Sequence, residues 1–422
     1  MGRSLPGAER PAGLTMATIL AYTSPALGHL LPMGALLSEL SRRGHTVHLR
    51  TLSSGLDHAR GLGVSVEPID PRIEAIELDD WKASNPVGAL KLSIGAFGRR
   101  ASYEIADLGK ALTTVQPDGV LVDVNCWGAH SAVEATGVPW ASFAPYTPAL
   151  TVAGVPPFGL GLKPMSGPVG RLRDSVVRAG VSWPLERPAV AAINTVRSRV
   201  GLTPVGSLDQ FLRRAPLLFL ATGTPFQYAA DWGENVHMIG PCAPEKAHGD
   251  APDWLTAIDR PIVLVTTSSE RQGDAGLVSA AVDALTDEPV HVVATLPAGV
   301  DQVPGSAHAT ILRFVDHDLV LGRAVCAVTH GGMGATQRAL ARGVPVCVVP
   351  YGRDQFEVAR RAEVARCGTR LPAKRLSAPR LRNKIREAMG LTSGARAVAD
   401  GFAATGGVAR GADLFEHLVG GN

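Results

Sequence analysis

Short apolar runs alternate with amphipathic helical patterns along most of this chain, and the alternation starts twice. Ala17 to Tyr22 (ATILAY), Thr46 to Leu52, Gly119 to Val124 (GVLVDV), Pro139 to Phe143 and Leu217 to Ala221 read as strands. After the first of them Pro32 opens a helical pattern with apolar Met33, Leu36, Leu37 and Leu40, and Gly44 closes it. That is the usual Pro-first, Gly-last asymmetry of helices. A second series follows: Pro261 to Thr266 (PIVLVT), Val290 to Ala294, Thr310 to Phe314, Val325 to Thr329 and Val344 to Pro350. Apolar strands separated by helices form parallel sheets covered on both faces. Two such series predict an α/β protein with two Rossmann-like, doubly wound parallel-sheet domains facing a central cleft. Ligands of such sheets sit beyond the carboxyl ends of the strands, so chemistry is expected in the loops that follow them.

The chain has 422 residues, enough for two domains of roughly 200 residues each. Residues 1–15 are polar, carry Pro and Gly, and lack the apolar core of a signal peptide. They read as a loose tail, and Met16 is an equally good start. The expected divisions are 16–240, 241–405, and a C-terminal helix over 406–422 that would pack back on the first domain. Pro244 to Asp253 reads as the linker. From Thr151 to about Pro204 the rhythm weakens, and arginines such as Arg171, Arg178 and Arg187 mark polar helix faces.

A formal charge of +3 argues against nucleic acid as the main partner. No apolar run approaches the roughly 18 residues that span a bilayer, so no integral membrane segment is expected. Five scattered cysteines without a CxxC pair read as reduced core residues of a cytoplasmic protein. A homodimer is left open.

The most specific segment is HGGMGATQRALARGVPVCVVPYGRDQ, His330 to Gln355. A buried strand ends at Thr329, and a glycine-rich turn leads into a helix. Bare N-terminal amides with the helix dipole behind them favour an anion. Gly331, Gly332 and Gly334 would let the backbone approach it, and His330 adds a donor. Asp354 and Gln355 follow the next strand and suit sugar hydroxyls. A glycine turn that merely packs a helix, capped by the histidine, is the alternative. Neither this turn nor the one after Tyr22 spells GxGxxG, which disfavours a dinucleotide oxidoreductase.

His330-Gly331-Gly332-Met333-Gly334, followed by Gly343-Val344-Pro345 and Asp354-Gln355, resembles the nucleotide-sugar signature of inverting family 1 glycosyltransferases. That family has the GT-B fold and includes antibiotic, macrolide and plant secondary-metabolite enzymes. GHLLP near the start, RPIVLVTTSS and RFVDHD extend the likeness over nearly the whole chain. The resemblance implies an acceptor-binding first domain and a donor-binding second domain. By it Ser268 and Ser269 would contact donor phosphate, and Phe314 would stack on the nucleobase with Val315 and His317 along its edge. His330, Gly332, Gly334, Ala335 and Thr336 would hold the diphosphate, and Asp354 and Gln355 the sugar.

Three positions depart from the family pattern: Ala335 replaces Ser or Thr, Asp316 replaces Pro, and Arg338 stands where many UDP-using members carry Glu. The last fits a dTDP-sugar, whose ribose lacks the 2′-hydroxyl, or is a surface arginine. Asp316-His317-Asp318 superficially suggests a metal-binding DxD. No metal and no cofactor is expected, because a helix terminus and His330 already supply positive potential. The nucleotide diphosphate sugar is a co-substrate.

His29 is placed in the loop between the first strand and the helix opened by Pro32. The positive end of that helix disfavours its protonated form and suits it to act as a base. By itself it reads equally as a polar loop residue. Gly28-His29-Leu30-Leu31-Pro32 resembles the family's catalytic-base motif. Asp123, at the end of GVLVDV, would orient the histidine, with a helix N-cap as its alternative. Asp123→Asn is then expected to cost less than loss of His29, since asparagine can still orient the ring. The implied reaction is a direct displacement that moves a hexose or deoxyhexose from a UDP- or dTDP-sugar to a hydroxyl of a small apolar acceptor. A glycolipid enzyme would show an exposed apolar or basic patch on the first domain, and a non-enzymatic sugar-nucleotide binder would lack an organised dyad.

Overall fold

The computed structural model describes residues 16–83, 86–243, 251–268, 274, 276–297 and 306–421. Ser269 and most of the expected linker, 244–250, lie outside them.

Two wholly parallel sheets carry the molecule. The first holds β1 (Thr18–Tyr22), β2 (Thr46–Thr51), β3 (Ser65–Pro68), β4 (Gly119–Asp123), β5 (Trp140–Ala144), β6 (Leu217–Leu220) and β7 (Val236–Met238), in the order β3-β2-β1-β4-β5-β6-β7. The second holds β8 (Ile262–Thr266), β9 (His291–Thr295), β10 (Ala309–Leu312), β11 (Ala324–Thr329), β12 (Val346–Val348) and β13 (Gly368–Arg370), in the order β10-β9-β8-β11-β12-β13. Each sheet reverses its winding once, between β1 and β4 and between β8 and β11. Doubly wound sheets open a ligand crevice at such a point.

The central strands are the apolar ones. Every residue of β4, β5 and β8 is buried, which requires helices on both faces. On one face of the first sheet the 30-residue helix Pro86–Val115 packs against the helix Trp127–Glu134. A side chain at Gly128 would come within 2.0 Å of the Ala101 carbonyl oxygen, so only glycine permits this approach. On the other face, Ala412 and Phe415 of the helix Gly407–Gly420 join the core formed by Ile19, Leu36, Leu121 and Phe143. Arg43 ties the same helix down through Asp413 at 2.7 Å and Glu416 at 2.8 Å.

The sequence reading departs from the structure at two kinds of place. It passes over β3, β7 and β13, which are three or four residues long and lie at sheet edges; an edge strand that short has no buried period to read. It also opens the first helix too late. That helix runs Leu27–Arg42, with Pro32 inside it. Pro32 lacks the N–H that would close on the Gly28 carbonyl, but so near a helix start the loss is tolerated. His29 therefore stands in the first helical turn, not in a loop.

Candidate functional site

Both winding reversals bring chemistry-bearing side chains to the cleft. At the first, Asp123 ends β4, wholly buried, and its Oδ2 lies 2.6 Å from Nδ1 of His29. Its Oδ1 accepts the backbone N–H of Asn125 at 2.9 Å. The N-cap position of the following helix belongs to Cys126, whose side chain makes no capping bond, so Asp123 is not that helix's N-cap. A carboxylate at Nδ1 requires that nitrogen to carry the proton, which makes Nε2 the acceptor of the neutral ring. Nε2 faces the Asn125 side-chain amide nitrogen at 3.5 Å, and the Tyr146 hydroxyl donates to Asn125 Oδ1 at 2.6 Å. The Tyr146 ring stands edge-on to His29, 5.8 Å between centroids. Burial pushes the Tyr146 phenol up, with the carboxylates of Asp123 and Asp354 adding to it, so it is a donor at any ordinary pH.

Asn125 and the hydroxyl of Tyr146 were not legible as site residues. The only trace is Asn two places after Asp in VDVNCW, a spacing that puts one at the strand end and the other just beyond it.

At the second reversal, β11 ends at Thr329 and the helix Met333–Ala341 begins after Gly332, with no side chain capping it. Gly331 turns the chain at φ +95°. A side chain at Gly332 would come within 2.5 Å of His330 Nε2, so this glycine makes room for the imidazole. Gly334 is exposed, with nothing within 4 Å of where a side chain would be, and Ala335 is half-buried beside it. Uncapped N–H groups at a helix start are donors of the kind that favour an anion. The Thr336 hydroxyl pairs with Thr329 at 2.9 Å and its N–H with the Gly332 carbonyl at 3.1 Å.

His330 is buried, and its Nδ1 has no hydrogen-bond partner among the described residues. Burial holds its pKa below the ordinary range. Asp274 is 3.9 Å from that nitrogen, and its Oδ2 is engaged by the backbone N–H of Ser268 at 2.6 Å.

Phe314, 82% exposed, is a bare ring at the cleft edge, with Val315 buried behind it. His317 faces inward: Nε2 pairs with Thr295 Oγ1 at 3.1 Å, and burial pushes its pKa down to about 4. Asp316 caps the short helix His317–Leu321, and Asp318 pairs with Arg342 at 3.2 Å. Arg338 lies 3.8 Å from both aspartates, so its cation is matched locally.

Asp354 and Gln355 open the helix Gln355–Val364. Gln355 Oε1 accepts the N–H groups of Tyr351 and Gly352 at 2.7 and 3.0 Å, bracing the loop from within. Burial raises the Asp354 carboxyl to about 6, against the pull of Arg353 and of His29 across the cleft.

Residues 277–407 match the family model of the erythromycin biosynthesis protein CIII-like C-terminal domain. The 4'-demethylrebeccamycin synthase of Lentzea aerocolonigenes is 30% identical over 420 residues, covering 96% of this chain and all of that one. Among solved structures, the glycosyltransferase of kitacinnamycin superposes with a TM-score of 0.77 at 22% identity, over 96% of this chain and 100% of that one. The glycosyltransferase VinC in complex with dTDP gives 0.68 at 19%, over 96% and 100%. Full-length kinship with one such enzyme, the family match across the uncapped turn and two facing parallel sheets agree. The chain belongs to the family 1 glycosyltransferases of the GT-B fold and is a nucleotide-sugar-dependent glycosyltransferase.

Proposed function

We propose that this enzyme moves a hexose or deoxyhexose from a nucleotide diphosphate sugar to a hydroxyl of a small, largely apolar natural product, with inversion and without metal. The observation that carries the reading is the 2.6 Å contact between His29 Nδ1 and Asp123 Oδ2, which keeps the proton of the neutral ring on Nδ1 and makes Nε2 the base. His29 takes the acceptor proton as the oxygen attacks the anomeric carbon, and Asp123 stabilises the imidazolium that forms. The opposite face of that carbon loses the diphosphate, whose charge is met by His330 and the uncapped amides after Gly332. One in-line displacement inverts the centre.

Asp354 holds the sugar, with its carboxylate as acceptor. Phe314 offers the exposed ring for the base. A dTDP-sugar is favoured over a UDP-sugar for two reasons. Arg338, which replaces the ribose-binding Glu of the UDP-using pattern, lies near Asp316 and Asp318 rather than presenting a carboxylate, and VinC was solved with dTDP. The acceptor class follows from the name of the full-length relative, a 4'-demethylrebeccamycin synthase.

The test is a panel of UDP- and dTDP-sugars against phenolic and polyketide acceptors, read by mass gain, with product anomers assigned by NMR coupling. Retained configuration would sink the mechanism, and no mass gain with any small acceptor would sink the acceptor class.

One observation favours a second reading, a glycolipid acceptor at a membrane surface. The helix Gly167–Val177 exposes Val169, Leu172 and Val176, 71%, 67% and 62% accessible, on one face, with exposed Arg171 beside them. Co-sedimentation with phosphatidylglycerol vesicles, and not with phosphatidylcholine, would support it. Among the described residues no helix is long and apolar enough to cross a membrane.

A further inference from the structure

We infer that Asp80 of the first domain and Arg353 of the second are a positioning pair through which the first domain sets the loop that holds the donor sugar. The inference rests on Asp354 being the sugar ligand.

The two side chains meet across the cleft in a fork: Arg353 Nε donates to Asp80 Oδ2 at 2.6 Å and a terminal nitrogen to Oδ1 at 2.8 Å. Asp80 opens a short 3-10 turn and is 4% exposed. A carboxylate this buried is costly without its cation. Nothing in the mechanism above uses either residue.

Among the described residues Arg353 is also one of three non-glycine residues with positive φ, at +53°, a conformation disfavoured for a residue that bears a side chain. Its partner therefore fixes a backbone that would otherwise relax, at the residue immediately before Asp354. The loop is held from two sides. Gln355 Oε1 braces it from within, through Tyr351 and Gly352, and Asp80 pins it from the other domain.

The same element is gripped a second time by the first domain. Glu357 Oε1 accepts the N–H groups of Gly159 and Gly161 at 2.9 and 2.8 Å, and Arg360 Nε donates to the Gly161 carbonyl at 2.8 Å. Any shift of the first domain is thus delivered to residues 353–361 and to the carboxylate at 354.

A merely structural pair would affect all ligands alike, whereas a pair that sets the sugar loop separates the sugar from its diphosphate. The experiment measures binding of dTDP-glucose and of dTDP by calorimetry to wild type, Asp80→Asn, Arg353→Lys and the exchanged double variant Asp80→Arg/Arg353→Asp. Asp80→Asn should weaken dTDP-glucose on the order of tenfold, the scale of ordinary coupling between sites, and dTDP by less than about twofold. The exchanged pair should recover part of the loss. Equal weakening of both ligands, or no change in either in a variant with wild-type circular dichroism, would overturn the inference. Asp354→Asn keeps the two readings apart. If it spares dTDP-glucose, the sugar-ligand assignment fails; if it weakens dTDP-glucose while Asp80→Asn does not, the positioning pair fails.

Discussion

Asp123→Asn is the sharpest perturbation of the proposed base. The carboxylate and the imidazole touch at 2.6 Å, so their charge centres lie about 4 Å apart, and an ion pair at that distance is worth about 4 kcal/mol at an effective dielectric near 20. At about 1.4 kcal/mol per decade, removing the charge costs the step on the order of 10³-fold. The structure adds a second penalty. Oδ1 of Asp123 is already committed to the Asn125 N–H at 2.9 Å. If the asparagine keeps that bond, its NH₂ faces His29 Nδ1, and the ring proton must move to Nε2, where the base is lost. If it flips, two donors meet in a buried site, at a cost of about 1–3 kcal/mol. Sequence reasoning alone ranks this variant milder than loss of His29; the Asn125 N–H makes it comparable, within the 10²–10⁴-fold range of a lost general base. The assay is kcat for transfer to an aliphatic alcohol at neutral pH, followed by nucleotide release, beside donor affinity by calorimetry. Turnover should collapse while donor affinity holds, and an ionised phenol should partly rescue it. Turnover within about tenfold of wild type would refute the tautomer reasoning.

Activity should survive a chelator such as EDTA; loss restored by Mg²⁺ or Mn²⁺ would return Asp316 and Asp318 to consideration as ligands. The Asp354 carboxyl, raised to about 6 by burial beside Arg353, His29 and Glu357, must be ionised to accept from sugar hydroxyls. The sugar-donor KM should therefore rise as pH falls below 6, by at most about tenfold per unit, and a KM equally steep in Asp354→Asn would refute this. Two buried groups set opposing stability slopes. His130, between Trp140 and Phe211, is held down to about 3 by burial; the unfolded chain binds the extra proton, so stability falls as pH drops from 6.5 toward 3, by about 2 kcal/mol at pH 5. Glu104, raised to about 8 by burial against the N–H of Gly128, retains a proton that the unfolded chain releases, so stability falls as pH rises from 4.5 to 8. Denaturant titrations of His130→Phe and Glu104→Gln should each abolish one slope and leave the other.

The sequence made the central strands legible because burial on both faces leaves an unbroken apolar run, as in GVLVD or IVLVT. It also made the anion turn legible, since glycine at 331, 332 and 334 is a backbone requirement written in residue type. The 30-residue helix Pro86–Val115 escaped. Its buried stripe is Ile94, Ala101, Leu108 and Ala111, with Gly98 set against Ala192, and small residues weaken the apolar period. Pairings across domains escaped for another reason. Asp80 and Arg353 are 273 positions apart, and nothing local distinguishes them from surface charges until the fold closes the distance. Nor does residue type alone show that the Thr336 hydroxyl pairs with Thr329 at 2.9 Å, since one step along a helix turns a side chain about 100°.

The two cleft histidines show how one residue type is given two tasks. His29 keeps a carboxylate at 2.6 Å, so positive charge forming on its ring is compensated at once. At His330 the nearest carboxylate among the described residues, Asp274, stands 3.9 Å away and is partly spent on the Ser268 N–H. Burial therefore wins there and depresses the imidazole's affinity for a proton. A dianionic diphosphate arriving at the uncapped amides would reverse that balance, because an anion in contact favours the charged ring. Binding of free dTDP should then take up protons near pH 6, to a limit of about one per site. Calorimetry in buffers of differing ionisation enthalpy measures the uptake directly. A sugar would also release protons from Asp354, so free dTDP is used; its own terminal phosphate titrates near pH 6, and the difference between wild type and His330→Ala removes that contribution. His330→Ala should lose the uptake together with roughly 10- to 100-fold in affinity, the worth of one hydrogen bond to a charged group. If wild type binds dTDP without proton uptake near pH 6, or the alanine variant binds it as tightly, His330 packs the glycine turn and does not meet the leaving group.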